Sequence, residues 1–182
     1  AGRWQGRRIL QHGARGLSLP PTREYFYFVD LHGRLYLDEG EDSKTRTRRK
    51  VFNFATSLKE PKFLDFFFRQ LKINDQGRHL PSYQYVSPCG REMNFVRAAD
   101  TGIVFNRMDS DFLVYAHNLR VSFQPWKLKI SPEGRVYHPS PVGADALIAS
   151  SVVQQVLQDN IKLTESGYVF VHGDKEFEIA DR

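Results

Sequence analysis

The chain has 182 residues, of which 41% are hydrophobic and 13% aromatic, and it carries one cysteine and a formal net charge of +5. This composition excludes a disordered chain, which lacks the apolar surface that offsets the entropy of ordering, and one cysteine excludes an internal disulfide framework. Because no apolar run approaches the roughly 20 residues of a membrane-spanning helix, we expect a domain with no membrane span in a reducing compartment.

The chain opens with a basic segment, AGRWQGRRILQHGARGLSLPP, that has no initiator Met. No acidic residue precedes Glu24, and this Arg-rich, acid-free opening is typical of a transit sequence or of a basic arm left after processing. We therefore predict a basic N-terminal arm over residues 1–23, a single domain over 24–182, and the mitochondrial matrix as the location.

A hairpin and a second basic segment follow the arm. The stretch YFYFVDLHGRLYLD (25–38) has β-rich flanks around a turn at 30–33, where Asp opens the turn and Gly accepts a left-handed conformation. The segment SKTRTRRK (43–50) then carries five positive charges and no negative one. Residues 1–24 sum to +4 and 43–50 to +5, which leaves −4 for the rest, so the positive charge is concentrated in two segments.

The segment LKEPKFLDFFFRQLKIN predicts the first helix. Pro61 suits the first helical turn, and Glu60 suits the positive end of the helix dipole. Apolar residues at i, i+1, i+4, i+5 and i+8 form one broad face. The members of this face are Phe63, Leu64, Phe67, Phe68 and Leu71.

The second hairpin, YQYVSPCGREMNF (83–95), contains the only cysteine. We place its turn at residues 87–90, because Pro presets the second turn position and Gly suits the fourth. Cys89 then occupies the third position, which His32 and Glu133 occupy in two other hairpins. Since these three residues share no chemistry, the position serves the backbone turn, and we interpret Cys89 as a loop-tip residue.

The second half of the chain repeats these signals. TGIVFNR (101–107) and FLVYAHNLRVSF (112–123) predict strands, and WKLKISPEGRVYH (126–138) predicts a hairpin with its turn at 131–134. ADALIASSVVQQVLQDNI (144–161) predicts a second helix, with Asp145 at its start and Asn160 at its end. Its two apolar stripes are Ile148, Val152 and Val156, and Ala149, Val153 and Leu157. YVFVHGDKEFEI (168–179) predicts the last hairpin.

This order of elements favours an α+β fold. Antiparallel sheets built from β-hairpins would carry both amphipathic helices on one face. The order is also compatible with two ββαββ halves, as pseudo-repeats at 24–107 and 112–182. Gene duplication and the frequency of Gly-turn hairpins both explain such a pattern.

Three groups are candidates for catalysis. Cys89 could act as a nucleophile if Arg91 favoured its thiolate and a distant histidine, His79 or His138, supplied a base. His138 is the best single candidate for a general base, although Pro139 beside it favours a strand end. The acids Asp100, Asp109 and Asp111 could act as an acid–base pair or bind a divalent cation, but acids in such contexts mostly cap turns. We prefer the structural interpretation for all three groups.

The sequence indicates no cofactor. The six histidines are scattered singly, with neither a cysteine pair nor the i, i+4 spacing of a helical zinc site. There is no phosphate-binding glycine motif of the Walker or GxGxxG type. The aromatic residues of the hairpin flanks could stack on unpaired bases, but we expect them in the core. These residues are Tyr25, Tyr27, Tyr83, Tyr85 and Phe95.

Four blocks in this order resemble a known family: REYFYFVDLHGRLYLDE, VFNFATSLKEPKFLDFFFRQL, SPCGREMNFVRAAD followed by IVF, and GRVYHPSP. The family consists of uncharacterised proteins of animal mitochondria, and its human member is a chromosome-eight open-reading-frame protein. The resemblance spans about residues 23–141, and SPCGRE followed by NF is its most specific part. It implies mitochondrial residence and a shared fold, and it supplies no catalytic residue.

We expect a non-catalytic structural subunit of a mitochondrial ribonucleoprotein, with the mitochondrial ribosome as the leading candidate. Basic segments would contact phosphates of ribosomal RNA, while the folded domain supplies protein–protein surface. The predicted phosphate contacts are Arg3, Arg7, Arg8, Arg15, Lys44, Arg46, Arg48, Arg49 and Lys50. The alternatives are an accessory subunit of an inner-membrane respiratory complex and a small enzyme. We predict no homo-oligomer.

Overall fold

The computed structural model of the chain describes residues 23–38 and 58–182. In these ranges the chain forms sixteen strands in four sheets, and only one of its α-helices, at nine residues, is longer than a single turn. The predicted α+β fold, with two helices on one face of antiparallel sheet, is therefore wrong. The protein is mostly β, and its two larger sheets are mixed rather than antiparallel.

The first sheet is built around the N-terminal hairpin. Its strands are β1 (Arg23–Val29), β2 (Leu35–Leu37), β3 (Lys72–Ile73), β4 (Tyr85–Cys89) and β5 (Glu92–Ala98). They lie in the order β2-β1-β5-β4-β3. β1 pairs antiparallel with β2 and parallel with β5, so the first strand of the described ranges lies inside the sheet.

The remaining strands form three sheets. In chain order they are β6 (Val104–Phe105), β7 (Arg107–Asp109), β8 (Phe112–Tyr115), β9 (Leu119–Ser122), β10 (Lys129–Ile130), β11 (Val136–Pro139), β12 (Asp145–Ile148), β13 (Ile161–Thr164), β14 (Gly167–His172), β15 (Lys175–Glu178) and β16 (Ala180–Asp181). The second five-stranded sheet has the order β16-β10-β11-β12-β6, whereas β7-β8-β9 and β13-β14-β15 form three-stranded sheets. Because β6 of the first half pairs with β12 in the second five-stranded sheet, and β7 pairs with β8, the sheets do not divide into two ββαββ halves.

The first predicted helix is confirmed as α1 (Pro61–Arg69). Pro61 occupies the first turn, and the Glu60 carboxylate accepts hydrogen bonds from the backbone N–H groups of Lys62 and Phe63, as an N-cap does. The predicted apolar face is buried or packed against the core, and the Phe67 ring lies 5.0 Å from that of Tyr27 on β1. The helix therefore covers one face of the first sheet.

The second predicted helix is largely wrong. Residues 145–148 form β12, which pairs with β11 and β6, so the apolar run at its start is a strand buried inside a sheet. Helical turns begin only at Ser150, and they change from α to π to 3₁₀ geometry before Ile161. Val156 is 45% exposed, so the predicted Ile148/Val152/Val156 stripe does not face the core as a unit.

Three of the four predicted hairpins have the predicted turns. Gly33, Gly134 and Gly173 adopt left-handed φ values of 77°, 78° and 60°. In the second hairpin, β4 continues through residues 87–89, and the turn is the pair Gly90 and Arg91. Cys89 is therefore the last residue of a strand, opposite Glu92, rather than the third residue of a turn.

One apolar core joins the elements. It runs from Tyr27 and Phe67 through Phe105 and Tyr115 to Phe170. A smaller cluster of Tyr83, Val86 and Phe95, with Phe26 and Met93 packed against it, is separate from that core. Of the predicted core aromatics, Tyr27, Tyr83 and Phe95 are buried and Tyr25 and Tyr85 are partly buried. Within the two described ranges, no helix is long and apolar enough to cross a bilayer.

Candidate functional site

The residues that we predicted to bind a polyanion lie outside the part of the chain that the structure describes. They are Arg3, Arg7, Arg8, Arg15, Lys44, Arg46, Arg48, Arg49 and Lys50. Their role stays a prediction, and so does the division of the chain into an arm at 1–23 and one domain at 24–182. The structure does show the positions of the residues that adjoin these two segments, which are Arg23, Asp38 and Leu58.

The residues that flank the two basic segments are neighbours in the first sheet. Arg23 begins β1, and Asp38 follows β2, where its N–H donates to the Phe26 carbonyl oxygen at 2.7 Å. A strand rises about 3.3 Å per residue, so Arg23 lies about 10 Å along β1 from Phe26. Residues 22 and 39 are therefore attached at the same end of two paired strands, whereas Leu58, where the chain rejoins the fold after segment 39–57, bridges Leu35 at the other end of β2.

The described residues have almost no net charge of their own. Nine of the 26 Lys and Arg residues and three of the 21 Asp and Glu residues lie outside them, which leaves 17 positive and 18 negative side chains, or −1. The entire positive surplus of the chain thus belongs to segments 1–22 and 39–57.

Cys89 is not placed as an activated nucleophile. Its Sγ lies 3.8 Å from the Ser87 hydroxyl, and burial raises the pKa of the thiol even though hydrogen bonds with Ser87 and Asn94 act in the opposite direction. Neither His79 nor His138 contacts it: the His79 ring packs against Phe95, and His138 lies in β11. A thiol that keeps its proton is a weak nucleophile.

His138 is buried in β11, and both of its ring nitrogens are hydrogen-bonded to the backbone. The residue is 3% exposed, and its Nε2 accepts a hydrogen bond from the Gln124 N–H at 3.1 Å. The ring proton is therefore on Nδ1, which donates to the Pro139 carbonyl oxygen at 2.9 Å. Burial lowers the pKa of His138, so the neutral ring with both nitrogens engaged is the stable form.

The three candidate acids, Asp100, Asp109 and Asp111, do not form one group. Asp109 pairs with Arg107 at 3.0 Å and with Arg120 at 3.6 Å, both on the β7-β8-β9 sheet. Asp111 lies in the turn between β7 and β8, and Asp100 follows β5 and pairs with other arginines. Among residues 23–38 and 58–182, no three His, Cys, Asp or Glu side chains are grouped as metal ligands.

Asp100 is the centre of a hydrogen-bonded cluster at a surface cavity of about 710 Å³. Its carboxylate, 9% exposed, accepts from the Tyr137 hydroxyl at 2.8 Å, from Nη1 of Arg135 at 2.8 Å and from Nη1 of Arg182 at 3.3 Å. Burial raises the pKa of the Asp100 carboxyl, but these three hydrogen bonds outweigh it and hold the pKa below its ordinary value. The cavity is lined by Ala99, Asp100, Ser131, Pro132, Glu133, Arg135, Tyr137 and Arg182.

The side chains of this cluster come from three separate parts of the chain. Asp100 follows β5, Arg135 follows the turn between β10 and β11, and Tyr137 lies on β11. Arg182 follows β16, and its N–H donates to the Ile130 carbonyl oxygen at 3.0 Å, which fixes the backbone beside β10. The Arg182 guanidinium carbon lies 3.7 Å from the centre of the Tyr137 ring, a cation–π distance.

Ion pairs extend this cluster. Nε of Arg182 lies 3.9 Å from the Asp145 carboxylate, which Nζ of Lys129 contacts at 3.0 Å. At the cavity, Glu133 is fully exposed, and a hydrogen bond from the Ser131 hydroxyl lowers the pKa of its carboxyl. The cluster therefore joins the first sheet to the second by charge-assisted hydrogen bonds.

The sequence singled out only Asp100 of these residues, among the candidate acids. The signal that could have found a second member is the Gly-Arg pair that ends three of the four hairpin turns. The arginine of the first Gly-Arg pair, Arg34, makes a local contact, because its Nε donates to Asp30 at 2.6 Å. The arginine of the third pair, Arg135, instead donates to Asp100, which lies 35 residues earlier in the chain. Neither Tyr137 nor Arg182 carries a local signal of this contact.

A family model described as a domain of unknown function, DUF4505, matches residues 16–181. The chain belongs to the DUF4505 family. This membership confirms that the chain is part of an uncharacterised family, as the resemblance implied. The matched range of this DUF4505 chain includes β1 to β16 and every residue of the Asp100 cluster except Arg182.

Two solved structures are similar to this DUF4505 chain. A DUF1285 family protein from Silicibacter pomeroyi DSS-3 is 11% identical, with a TM-score of 0.54, over 89% of this chain and 84% of that one. A DUF1285 family protein from Shewanella baltica OS155 is 16% identical, with a TM-score of 0.44, over 70% and 87%. At this identity, the first likeness concerns the fold alone.

Proposed function

We propose that the protein is a non-catalytic structural subunit of a mitochondrial ribonucleoprotein, with the mitochondrial ribosome as the leading candidate. Its basic segments bind RNA phosphates, and its β-rich domain docks against neighbouring proteins. The matrix location rests on the resemblance of the sequence to a mitochondrial family.

The observation that carries this proposal is the separation of charge. The described residues sum to −1, whereas segments 1–22 and 39–57 hold the whole positive surplus, and residues 22 and 39 adjoin the same end of β1 and β2. Clustered Lys and Arg side chains release several condensed counterions from a nucleic acid together, which gives affinity without base recognition. The internal partners of Cys89, His138 and Asp100 favour binding over catalysis.

Sedimentation of mitochondrial lysate through a sucrose gradient, with and without RNase, tests the host assembly. We expect the chain to sediment with a large particle and to leave it after RNase treatment. Co-migration with detergent-solubilised respiratory complexes, unaffected by RNase, would contradict this proposal and support the accessory-subunit alternative.

A matched pair of triple variants tests the basic segment. We expect the Arg46→Gln, Arg48→Gln, Arg49→Gln variant to bind RNA more weakly and with a salt dependence reduced by about 2 to 3 in log–log slope. The control is Lys72→Gln, Lys162→Gln, Lys175→Gln, which removes the same charge from exposed positions on the folded domain. Equal losses in the two variants would show that only net charge matters and would sink the proposal.

A further inference from the structure

The arginines at the Asp100 cavity keep hydrogen-bond donors that the fold does not use. Each donates to Asp100 through Nη1, and Nε of Arg182 also lies 3.9 Å from Asp145. Arg135 also hydrogen-bonds with the Tyr137 hydroxyl oxygen, but these contacts engage only part of a guanidinium group that has five N–H donors. Both side chains line the cavity, so it has unused guanidinium edges.

These guanidinium groups are held in place before any ligand arrives. The Asp100 carboxylate contacts both, and the Tyr137 ring supports that of Arg182 at 3.7 Å. Arg135 and Arg182 are 43% and 34% exposed, so their remaining donors are reachable from solvent. Preorganised Arg forks suit oxyanions, because two parallel N–H donors match two oxygens of a carboxylate or phosphate.

The size of the cavity suits a small ligand. Its volume of about 710 Å³ lies within the range of about 300 to 1,000 Å³ that small-molecule sites occupy, and because the cavity is open to solvent and has a mainly polar lining, polar contacts rather than enclosure would hold a ligand. The lining carries two arginines and two acids, Asp100 and Glu133, so its net charge is zero, and the guanidinium donors rather than a charge surplus would hold an anion. Glu133 is the negative group on the lining that does not hold either arginine by a hydrogen bond, so it opposes an anion there.

We propose that this cavity binds the oxyanion group, phosphate or carboxylate, of a small molecule between Arg135 and Arg182. This site is independent of the proposed RNA contacts, which involve segments 1–22 and 39–57. A bound oxyanion accepts hydrogen bonds from the unused edges of both guanidinium groups, while Asp100 continues to hold their Nη1 atoms.

Titration of the ¹⁵N-labelled full chain with inorganic phosphate, and separately with acetate, tests this site at constant ionic strength set with chloride. We expect saturable shifts of the backbone amides of Asp100, Arg135 and Arg182 with at least one of the two ions, and the stronger ion identifies the ligand class. Shifts that never saturate, or that fall elsewhere in the spectrum, overturn the proposal.

Four variants make the test specific. Arg135→Gln and Arg182→Gln should each weaken binding about tenfold or more, as the loss of a charge-assisted hydrogen bond predicts. Glu133→Gln should tighten binding, because it removes a negative charge from the lining. The control, Arg107→Gln, removes an arginine that is 51% exposed and paired with Asp109, and it should leave the affinity unchanged.

Binding that is insensitive to both Arg135→Gln and Arg182→Gln overturns the site, as does an equal loss in Arg107→Gln. Thermal unfolding of each variant checks the fold. Should Arg135→Gln unfold the chain, Arg135→Lys keeps the charge at that position without the two parallel donors. It should then bind phosphate more weakly than the unmodified chain, and unchanged affinity in Arg135→Lys counts against the proposal.

Discussion

At Cys89, partial burial beside Ser87 and Asn94 raises the pKa of the thiol. The fraction present as thiolate at pH 8 is therefore smaller than that of a free cysteine, so we expect iodoacetamide to alkylate this residue slowly. The alkylation rate measured against pH by mass spectrometry should have its midpoint above the ordinary thiol value of about 8.5. A midpoint well below pH 8 would instead indicate an activated nucleophile.

His138 makes the stability of the fold depend on pH. Burial lowers the pKa of the His138 imidazole in the folded state. At a pH between this lowered pKa and the ordinary histidine pKa of about 6.5, the unfolded chain therefore binds more protons than the folded chain. The free energy of unfolding is therefore fully retained above about pH 6.5 and falls as the pH drops through this window.

Urea unfolding at pH 7.5, 6.5 and 5.5 measures this contribution. His138→Gln keeps an acceptor for the Gln124 N–H and a donor for the Pro139 carbonyl oxygen but does not titrate, so we expect a smaller loss of stability on acidification. The control, His172→Gln, makes the same substitution at an exposed position on β14, and its pH profile is compared with that of His138→Gln. An identical pH dependence in His138→Gln and the unmodified chain would contradict the assignment.

The position of Cys89 shows that a local sequence pattern does not fix the conformation of each residue in it. Ser-Pro-X-Gly predicts a four-residue turn, and residues 131–134 form it, with the Gly134 N–H donating to the Ser131 carbonyl oxygen at 2.8 Å. In the second hairpin, the Ser87 hydroxyl instead donates to the Phe67 carbonyl oxygen at 2.8 Å, and the residue is buried. A contact with a helix twenty residues away decides the turn, and no local signal contains it.

Among the elements, α1 offers a direct test of its predicted apolar face. Phe67 is fully buried, whereas its neighbour Phe66 is 46% exposed. We expect Phe67→Ala to lower the free energy of unfolding by about 3 to 5 kcal/mol, because it leaves a cavity under the helix. Phe66→Ala, the matched control, should cost less than about 1 kcal/mol. Similar losses in the two variants, measured by urea unfolding, would contradict the packing of α1.

The two helix predictions had different outcomes for a physical reason. Around α1, Pro61, the Glu60 cap and a one-sided apolar face all favour a helix, and the structure agrees. Residues 146–149 are apolar without a period, and a short continuous apolar run does not distinguish a helix from a strand buried on both faces. Here the partners of β12, which are β11 and β6, decide the outcome, and β6 lies about 40 residues earlier in the chain.

For the molecule as a whole, the shared core predicts that the two halves of the chain cannot fold separately. β6 pairs with β12, and the Phe105 ring lies 6.0 Å from that of Tyr115, so both contacts cross a cut after residue 110. We expect fragments 1–110 and 111–182, prepared separately, each to give poorly dispersed ¹H–¹⁵N spectra. A well-dispersed spectrum from either fragment would show an independent domain and would revive the pseudo-repeat hypothesis.

The candidate cavity could be predicted from sequence only in part, because its residues are far apart in the sequence. Asp100, Arg135 and Arg182 are separated by 35 and 47 residues along the chain, and pairing of β16 with β10 brings the last of them into place. Spacing rules detect residues that share one turn or one strand. They do not detect a site that exists only after parallel strands from distant segments have paired.

The interior position of β1 has a mechanical consequence. A tension applied through residue 22 along β1 acts on a strand bonded on both sides, so its ladder with β5 is loaded in shear, many bonds at once. Tension applied through Arg182 would instead peel β16, a two-residue strand bonded only to β10. In single-molecule pulling, we expect the N-terminal attachment to withstand the larger force before the first rupture, and the reverse order would show that β1 does not anchor the fold.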